Sequence, residues 1–373
     1  MKTIAALFAL ALYAAPAWTQ CHKLTEINTA TPEGQLLQKA GLEEDAAQKL
    51  ALQEQFAAQY PQHEAAGWVY EQLLAAYVKS NEADKALAVG DKLSAMSPQC
   101  VEDAQQTLKA AEMKKDPDLI LKWSAKTAEL AQKVVASPQP TEADEVENWK
   151  ARVDYARQVN TYTEYSLYAM ALGTADPKKQ VALIEALQQR NPKSEYLAKA
   201  DDTLFVAYQK SGATDKAVAF AQQIAATGSP SEDMLLVLTD DAAKKKDAEK
   251  VHAYSAKLVE VMNSKPKPEG VADADWTKRK NTILGLAYSM NGKQYFNEGK
   301  LAQADAELRK SLPLVDGALK TEVLFYLGLA NYKMEKVQDA YNFFKACAAV
   351  SSPFQAQANK NLTAIRAQYH GIK

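Results

Sequence analysis

Within 67–100 the apolar residues Tyr70, Leu73, Leu74 and Tyr77 recur at i, i+3, i+4 and i+7. That spacing puts them on one face of an amphipathic helix. A polar stretch at 80–84 interrupts the stripe. A second apolar set follows with Ala86, Leu87, Leu93 and Met96, and Pro98 closes the unit. The pattern predicts two helices of about 12 residues joined by a short turn, an antiparallel hairpin. One such hairpin cannot bury both of its apolar faces, so neighbouring hairpins must stack. Asp116-Pro117 and Asp176-Pro177 each precede an apolar-periodic run. Asp can cap free N–H groups there, and Pro suits the first helical position. Thr214 or Asp215 is expected to cap likewise, and Asp273 and Asp275 to cap the helix that carries Trp276. The tail 353–368 reads as a terminal helix that shields the last hairpin.

Self-comparison shows that the pattern repeats. Residues 76–88 (AYVKSNEADKALA) return as 207–219 (AYQKSGATDKAVA), 131 residues later. Trp123-Ser124-Ala125-Lys126 answers Tyr254-Ser255-Ala256-Lys257 at the same offset. Pro-rich breaks follow at 137–140 and 265–268, and then Trp149 answers Trp276. A duplicated block of helical hairpins over about 67–197 and 198–320 accounts for this, with a final hairpin and cap over 321–373.

The finer units carry a family pattern. Tyr70, Leu73, Tyr77, Ala86 and Pro98 mark 67–100, and Leu204, Tyr208, Ala217 and Ile224 mark 198–231. Tyr288, Gly292, Tyr295, Gly299, Ala304 and Leu308 mark 285–318. Leu324, Leu327, Gly328, Ala340 and Phe344 mark 321–354. Weaker copies occupy 30–63 and 161–194, and two divergent hairpins fall near 103–136 and 232–263. The pattern resembles the tetratricopeptide repeat (TPR), a helix–turn–helix unit of about 34 residues. The resemblance implies an all-α, right-handed α-solenoid of about eight TPR-like hairpins over 30–373 with a C-terminal capping helix. It also implies small residues where paired helices cross, here Ala86, Ala217, Ala304 and Ala340, and a concave surface lined by first helices.

Composition agrees with a helical chain. Gly and Pro number 14 each among 373 residues, too few for an all-β sandwich or a disordered chain. Lys+Arg 44 against Asp+Glu 46 leaves no basic excess for neutralising phosphates, so no nucleic-acid partner is expected. Lys2, the uncharged apolar run 4–13 and Ala15-Pro16-Ala17 read as a secretory signal peptide over 1–17, cut after Ala17, with 18–29 a linker. The apolar run is too short to span a bilayer, which takes about 20 residues, and no later segment is long enough. An exported, periplasmic protein is expected. Three cysteines cannot all pair internally. Cys347 reads as a small buried hydrophobe, and a Cys21–Cys100 bridge is open to an oxidising compartment.

The search for chemistry is mostly negative. His22, His63, His252 and His370 are far apart, and none has a second His at i+3 or i+4. His63 reads as a solvated turn residue. Phosphate-loop, dinucleotide and nucleophile-elbow motifs are absent. No catalytic residue, cofactor or metal is therefore expected, and the chain reads as a non-enzyme. What remains is a surface. Stepping i, i+3, i+7, i+10 along the first helices, opposite the core stripe, picks out Trp68, Tyr162, Tyr165, Phe296, Phe325 and Tyr332. Aromatics bury much area at low entropic cost and make good anchors. The expected function is a non-catalytic scaffold that holds a protein or peptide of the cell envelope. An envelope carbohydrate- or small-ligand-binding protein that uses aromatic stacking is the alternative. The bland account of the same six residues is packing against the next hairpin.

Overall fold

The computed structural model describes residues 21–24 and 26–369. The expected signal peptide and its cleavage point lie outside those residues. Among them every regular element is helical, and no strand occurs. The chain divides between Ala207 and Tyr208 into two compact units. The first unit holds α1 (Pro32–Leu42), α2 (Ala46–Gln59), α3 (Ala66–Lys79), α4 (Ala83–Ser94), α5 (Val101–Lys114), α6 (Pro117–Val135), α7 (Ala143–Gly173), α8 (Pro177–Arg190) and most of α9 (Glu195–Lys210). The second holds the end of α9, then α10 (Thr214–Thr227), α11 (Glu232–Lys244), α12 (Ala248–Ser264), α13 (Asp273–Asn297) and α14 (Leu301–Ser311). A short 3-10 turn at Leu312–Leu314 leads into α15 (Gly317–Lys333), α16 (Val337–Ala348) and α17 (Gln355–Gln368).

From α1 to α8, and again from α10 to α17, each helix packs on the next one in the chain. Alternate helices also touch, as in α3–α5, α5–α7, α11–α13 and α13–α15. That is the contact pattern of a helical repeat, in which each hairpin buries its apolar stripe against its neighbours. Phe56, Leu73, Leu74 and Ala86 share one core in the first unit. Tyr341, Phe344, Leu362 and Ile365 share another in the second.

The hairpin turns explain why the helices end where they do. Asn81, Gly212, Lys246, Gly299 and Glu335 all have positive φ, between 58° and 80°. In each case the next residue's N–H donates to the carbonyl five residues back: Glu82 to Tyr77, Ala213 to Tyr208, Asp247 to Ala242, Lys300 to Tyr295, Lys336 to Asn331, all at 2.8–2.9 Å. A left-handed residue followed by this backward bond satisfies a helix-end carbonyl that would otherwise lack a partner. Asn81 and Gly212 are 131 residues apart. Lys115, also left-handed, and Lys246 are separated by the same interval. Ala83, Val101 and Pro117 open helices, and so do Thr214, Glu232 and Ala248, again 131 residues later.

The crossings inside the hairpins are tight. Ala86, Ala217, Ala304 and Ala340 are all fully buried. A Cβ added at Gly292 would lie 2.7 Å from Leu308 Cγ. One added at Gly328, 36 residues on, would lie 2.6 Å from Phe344 Cε1. The same 36-residue step relates two bonds across these hairpins: Ser311 Oγ donates to the Gly285 carbonyl at 2.7 Å, and Cys347 Sγ to that of Thr321 at 3.4 Å.

Several local expectations change. Asp116 and Asp176 do cap α6 and α8, each with Pro at the start of the helix. Thr214, Asp215, Asp273 and Asp275 instead lie inside their helices, and Ala213 and Ala272 occupy the N-cap positions with no side-chain bond. The acids then act as first-turn charges on the helix dipole. His63 is half-buried: its Nδ1 accepts the Ala65 N–H at 3.1 Å, and its ring stands edge-on to Phe56. The helix expected from 161 begins at Ala143 and runs 31 residues, because no Gly or Pro interrupts 143–172. Cys21 and Cys100 form a disulfide, Cα–Cα 6.1 Å, within the usual span. No helix among the described residues is long and apolar enough to cross a membrane.

Candidate partner-binding site

The rings on α7 and α9 stand out in the first unit. Tyr162, Tyr165 and Tyr168 follow one another at i, i+3 and i+6 on α7, so they project from adjoining sectors of that helix. Tyr196 reaches them from the first turn of α9. Its ring lies 5.8 Å from Tyr165 and is stacked on Tyr168 at 5.3 Å. Tyr162 joins the row 6.5 Å from Tyr165. These are the offset and tilted separations that aromatic pairs prefer. Lys199, one turn after Tyr196, holds its ammonium 5.0 Å from that ring centroid and pairs with Glu195 at 2.8 Å.

The row is anchored at one end and open at the other. Tyr162 is half-buried, and its hydroxyl donates to Glu112 of α5, which also accepts from Ser166. Burial, with the Glu112 carboxylate beside it, raises the Tyr162 hydroxyl above the ordinary phenol value, so it remains a donor. Tyr165 is 45% exposed, and Leu172, two turns further along α7, is 48% exposed. The site therefore presents a fixed ring, an open ring, two half-buried rings and an exposed leucine. It offers apolar area, ring faces and phenolic hydroxyls.

The other residues picked from the sequence sit differently. Trp68 is half-buried against the core of α2–α4. Phe296 is half-buried, edge-on to Tyr326 at 5.4 Å, with the Lys333 ammonium 5.0 Å from its ring. Phe325 stacks on Phe354 at 5.1 Å and stands 5.9 Å from Phe344. The Tyr332 hydroxyl donates to Gln368 of α17 at 2.9 Å. Phe325 and Tyr332 thus help to seat the terminal helix. Of the six, only Tyr165 exposes a large part of its ring. The structure brings Tyr162 and Tyr165 together, and links Phe296 to Phe325 through Tyr326.

Tyr168, Tyr196 and Glu112 were not picked out from the sequence. Tyr168 lies between two steps of the pattern used to trace the face. Tyr196 lies two residues ahead of the repeat drawn at 198–231. Glu112 belongs to one of the divergent hairpins, on a helix with no aromatic residue. Away from the rings, a cleft of ≈ 680 Å³ in the second unit is lined by Asp273, Lys278, Asn281, Leu286 and Leu314 among others, with no aromatic ring. No protein-family model matches this chain, and no curated protein shows significant similarity to it.

Proposed function

We propose that this chain is an exported, non-catalytic scaffold that holds a protein or peptide of the cell envelope on the tyrosine face of α7 and α9. The observation that carries the proposal is the open Tyr165 ring, with Leu172 on the same helix and Tyr168 and Tyr196 behind it. Large, rigid rings around an exposed apolar side chain form the kind of centre in which binding energy concentrates. We assign the hairpins of each unit to the TPR type, stacked in the right-handed sense. The repeated turns and glycine crossings support that assignment. Taken in chain order, the seventeen α-helices among the described residues make eight successive pairs, which we read as the eight hairpins, with α17 left over as the cap.

The rings could equally stack on a sugar, and the test separates the two. A photo-crosslinking phenylalanine analogue replaces Tyr165 in the tagged, exported chain, and adducts are identified by mass spectrometry. One dominant protein adduct, lost when Tyr196→Ala is added, supports the scaffold. No protein adduct, together with retention of the wild-type chain on isolated cell-wall polysaccharide, overturns it in favour of the carbohydrate reading. Tyr165→Ala must keep the wild-type melting curve for either result to count, as its exposure predicts.

A further inference from the structure

A second group of side chains converges where the N-terminal segment meets α3, well separated in sequence from the tyrosines. Glu71 is only 8% exposed. Its Oε1 accepts the backbone N–H groups of Cys21 and His22, at 3.1 and 2.8 Å. Its Oε2 is buried and has no partner. The His22 ring lies against Gly67, where a Cβ would come within 2.5 Å of Nδ1. His22 Nε2 is likewise buried without a partner. A buried polar atom left unpaired costs about 1–3 kcal/mol, and more for a charged group, so two of them in these neighbouring side chains call for an explanation. Cys21 Sγ, one His22 ring nitrogen and one Glu71 oxygen all lie within 4.8 Å of one another. The disulfide joins Cys100 Sγ to Cys21 Sγ, the sulfur member of this group.

We propose that Cys21, Cys100, His22 and Glu71 form a redox-gated site for a divalent zinc-class cation, filled when the disulfide is reduced and closed when it forms. Two thiolates, an imidazole nitrogen and a carboxylate oxygen make up the mixed sulfur, nitrogen and oxygen donor set that suits tetrahedral Zn²⁺. As a disulfide the sulfurs are weak ligands. As thiolates they complete the set of four. Glu71 is prepared for this role: two backbone N–H groups fix Oε1 and leave Oε2 free to bind, an arrangement that orients metal ligands elsewhere. Gly67 gives the imidazole room to approach. Disulfide and cation are alternative clasps: the disulfide ties the N-terminal segment to the start of α5, and the cation ties it to both α3 and the start of α5.

The chemistry balances with a dithiol as reductant. The Cys21–Cys100 bond breaks, the dithiol becomes a cyclic disulfide, and its two hydrogens leave thiols at Cys21 and Cys100. Both thiols release their protons to solvent as the cation binds.

The test uses Co²⁺ as the probe on the full exported chain. A phosphine reduces the disulfide, since a dithiol would compete for metal. The phosphine becomes its oxide with oxygen from water, two thiols form, and the excess is removed. Reduced chain should show a thiolate-to-cobalt charge-transfer band and the intense visible bands of tetrahedral cobalt, both displaced by Zn²⁺. Oxidised chain should show neither. Glu71→Gln and His22→Gln should each weaken binding by at least about tenfold, judged from the losses that even outer-shell changes cause. Failure of the bands to appear in reduced, folded chain overturns the site. So does unchanged affinity in both variants, because the sulfurs would then be binding without the other two donors. If reduction alone unfolds the first unit, added Zn²⁺ must restore the helical circular-dichroism signal, since metal binding would then be coupled to folding. A chain that stays unfolded with the cation present refutes the proposal equally.

Discussion

The same substitution, Gly to Ala, should change stability in opposite directions at two helical positions. Gly41 lies in the last turn of α1, and a Cβ there would meet nothing within 4 Å. Gly41→Ala should gain the usual helix-propensity difference, about 0.5–1 kcal/mol. Gly328 lies mid-helix in α15, and its Cβ would stand 2.6, 2.7 and 2.9 Å from Phe344 Cε1, Cδ1 and Cζ. Phe344 is 1% exposed and packed among Leu324, Tyr341 and Ile365. Its ring has no open space to retreat into, so the helices must part or the ring must leave its rotamer. Such overpacking costs about 1–3 kcal/mol. Taking about 2 for the clash and about 1 for the propensity gain, Gly328→Ala should lose roughly 1 kcal/mol net. The two variants should then differ by roughly 2 kcal/mol in opposite directions. Urea titrations followed by circular dichroism read both, with each shift assigned to the transition of its own unit. If Gly328→Ala stabilises as Gly41→Ala does, α15 and α16 do not cross as closely as described. The equivalent close approach 36 residues earlier, at Gly292 and Leu308, would then be in doubt as well.

Three further outcomes follow from packing and charge. Phe325→Ala should cost at least about 2 kcal/mol, because the ring supports Phe354 and Phe344, whereas Tyr165→Ala should stay within about 0.5 kcal/mol; equal losses in thermal melts would contradict the placement of the two rings. Reducing the Cys21–Cys100 bridge, which spans 79 residues, should cost the first unit up to about 4.5 kcal/mol by chain entropy, read as a lower urea midpoint without added metal. Burial, and next to it the Asp202 charge, pushes the Asp201 carboxyl up to about 6 in the folded chain. A raised acid favours folding below its unfolded value and loses that contribution as pH rises through about 6. Asp201→Asn should therefore match wild type near pH 4 and melt higher near pH 7. Equal melting temperatures at both pH values would show that Asp201 is not held in this environment.

The helices were legible because core burial leaves a periodic trace. Tyr70, Leu73, Leu74 and Tyr77 announce α3, and the alanines at the crossings are buried as the small-residue argument requires. Turn chemistry was less visible. At the five turns closed by the backward bond only two of the left-handed residues are glycine, while Asn81, Lys246 and Glu335 bear the strain of that conformation with a side chain attached. A reader looking for glycine finds Gly212 and Gly299 and passes over the rest. Capping was misjudged at Asp273 for a related reason. An acid near a helix start has the same composition whether it sits at the N-cap or one residue inside.

The candidate sites were harder, because what defines them is not periodic. A ring opposite the core stripe has the same helical spacing whether it faces solvent, as Tyr165 does, or seats the next helix, as Phe325 and Tyr332 do. Exposure depends on what the following hairpin brings to that face. Only the placement of α17 and Phe354 decides it for Phe325. The donor cluster at the N-terminus is further still from any local signal. A search for paired histidines on one helix presumes that a site is built from one element. Here the donors come from the segment before α1, from α3 and from the residue ahead of α5, and their meeting depends on how α3, α4 and α5 stack. Glu71 lies three residues after Trp68 on α3 and would be a solvated surface acid if α3 stood alone. Docking of Cys21 and His22 onto it turns that surface position into a buried carboxylate with one oxygen held and one free.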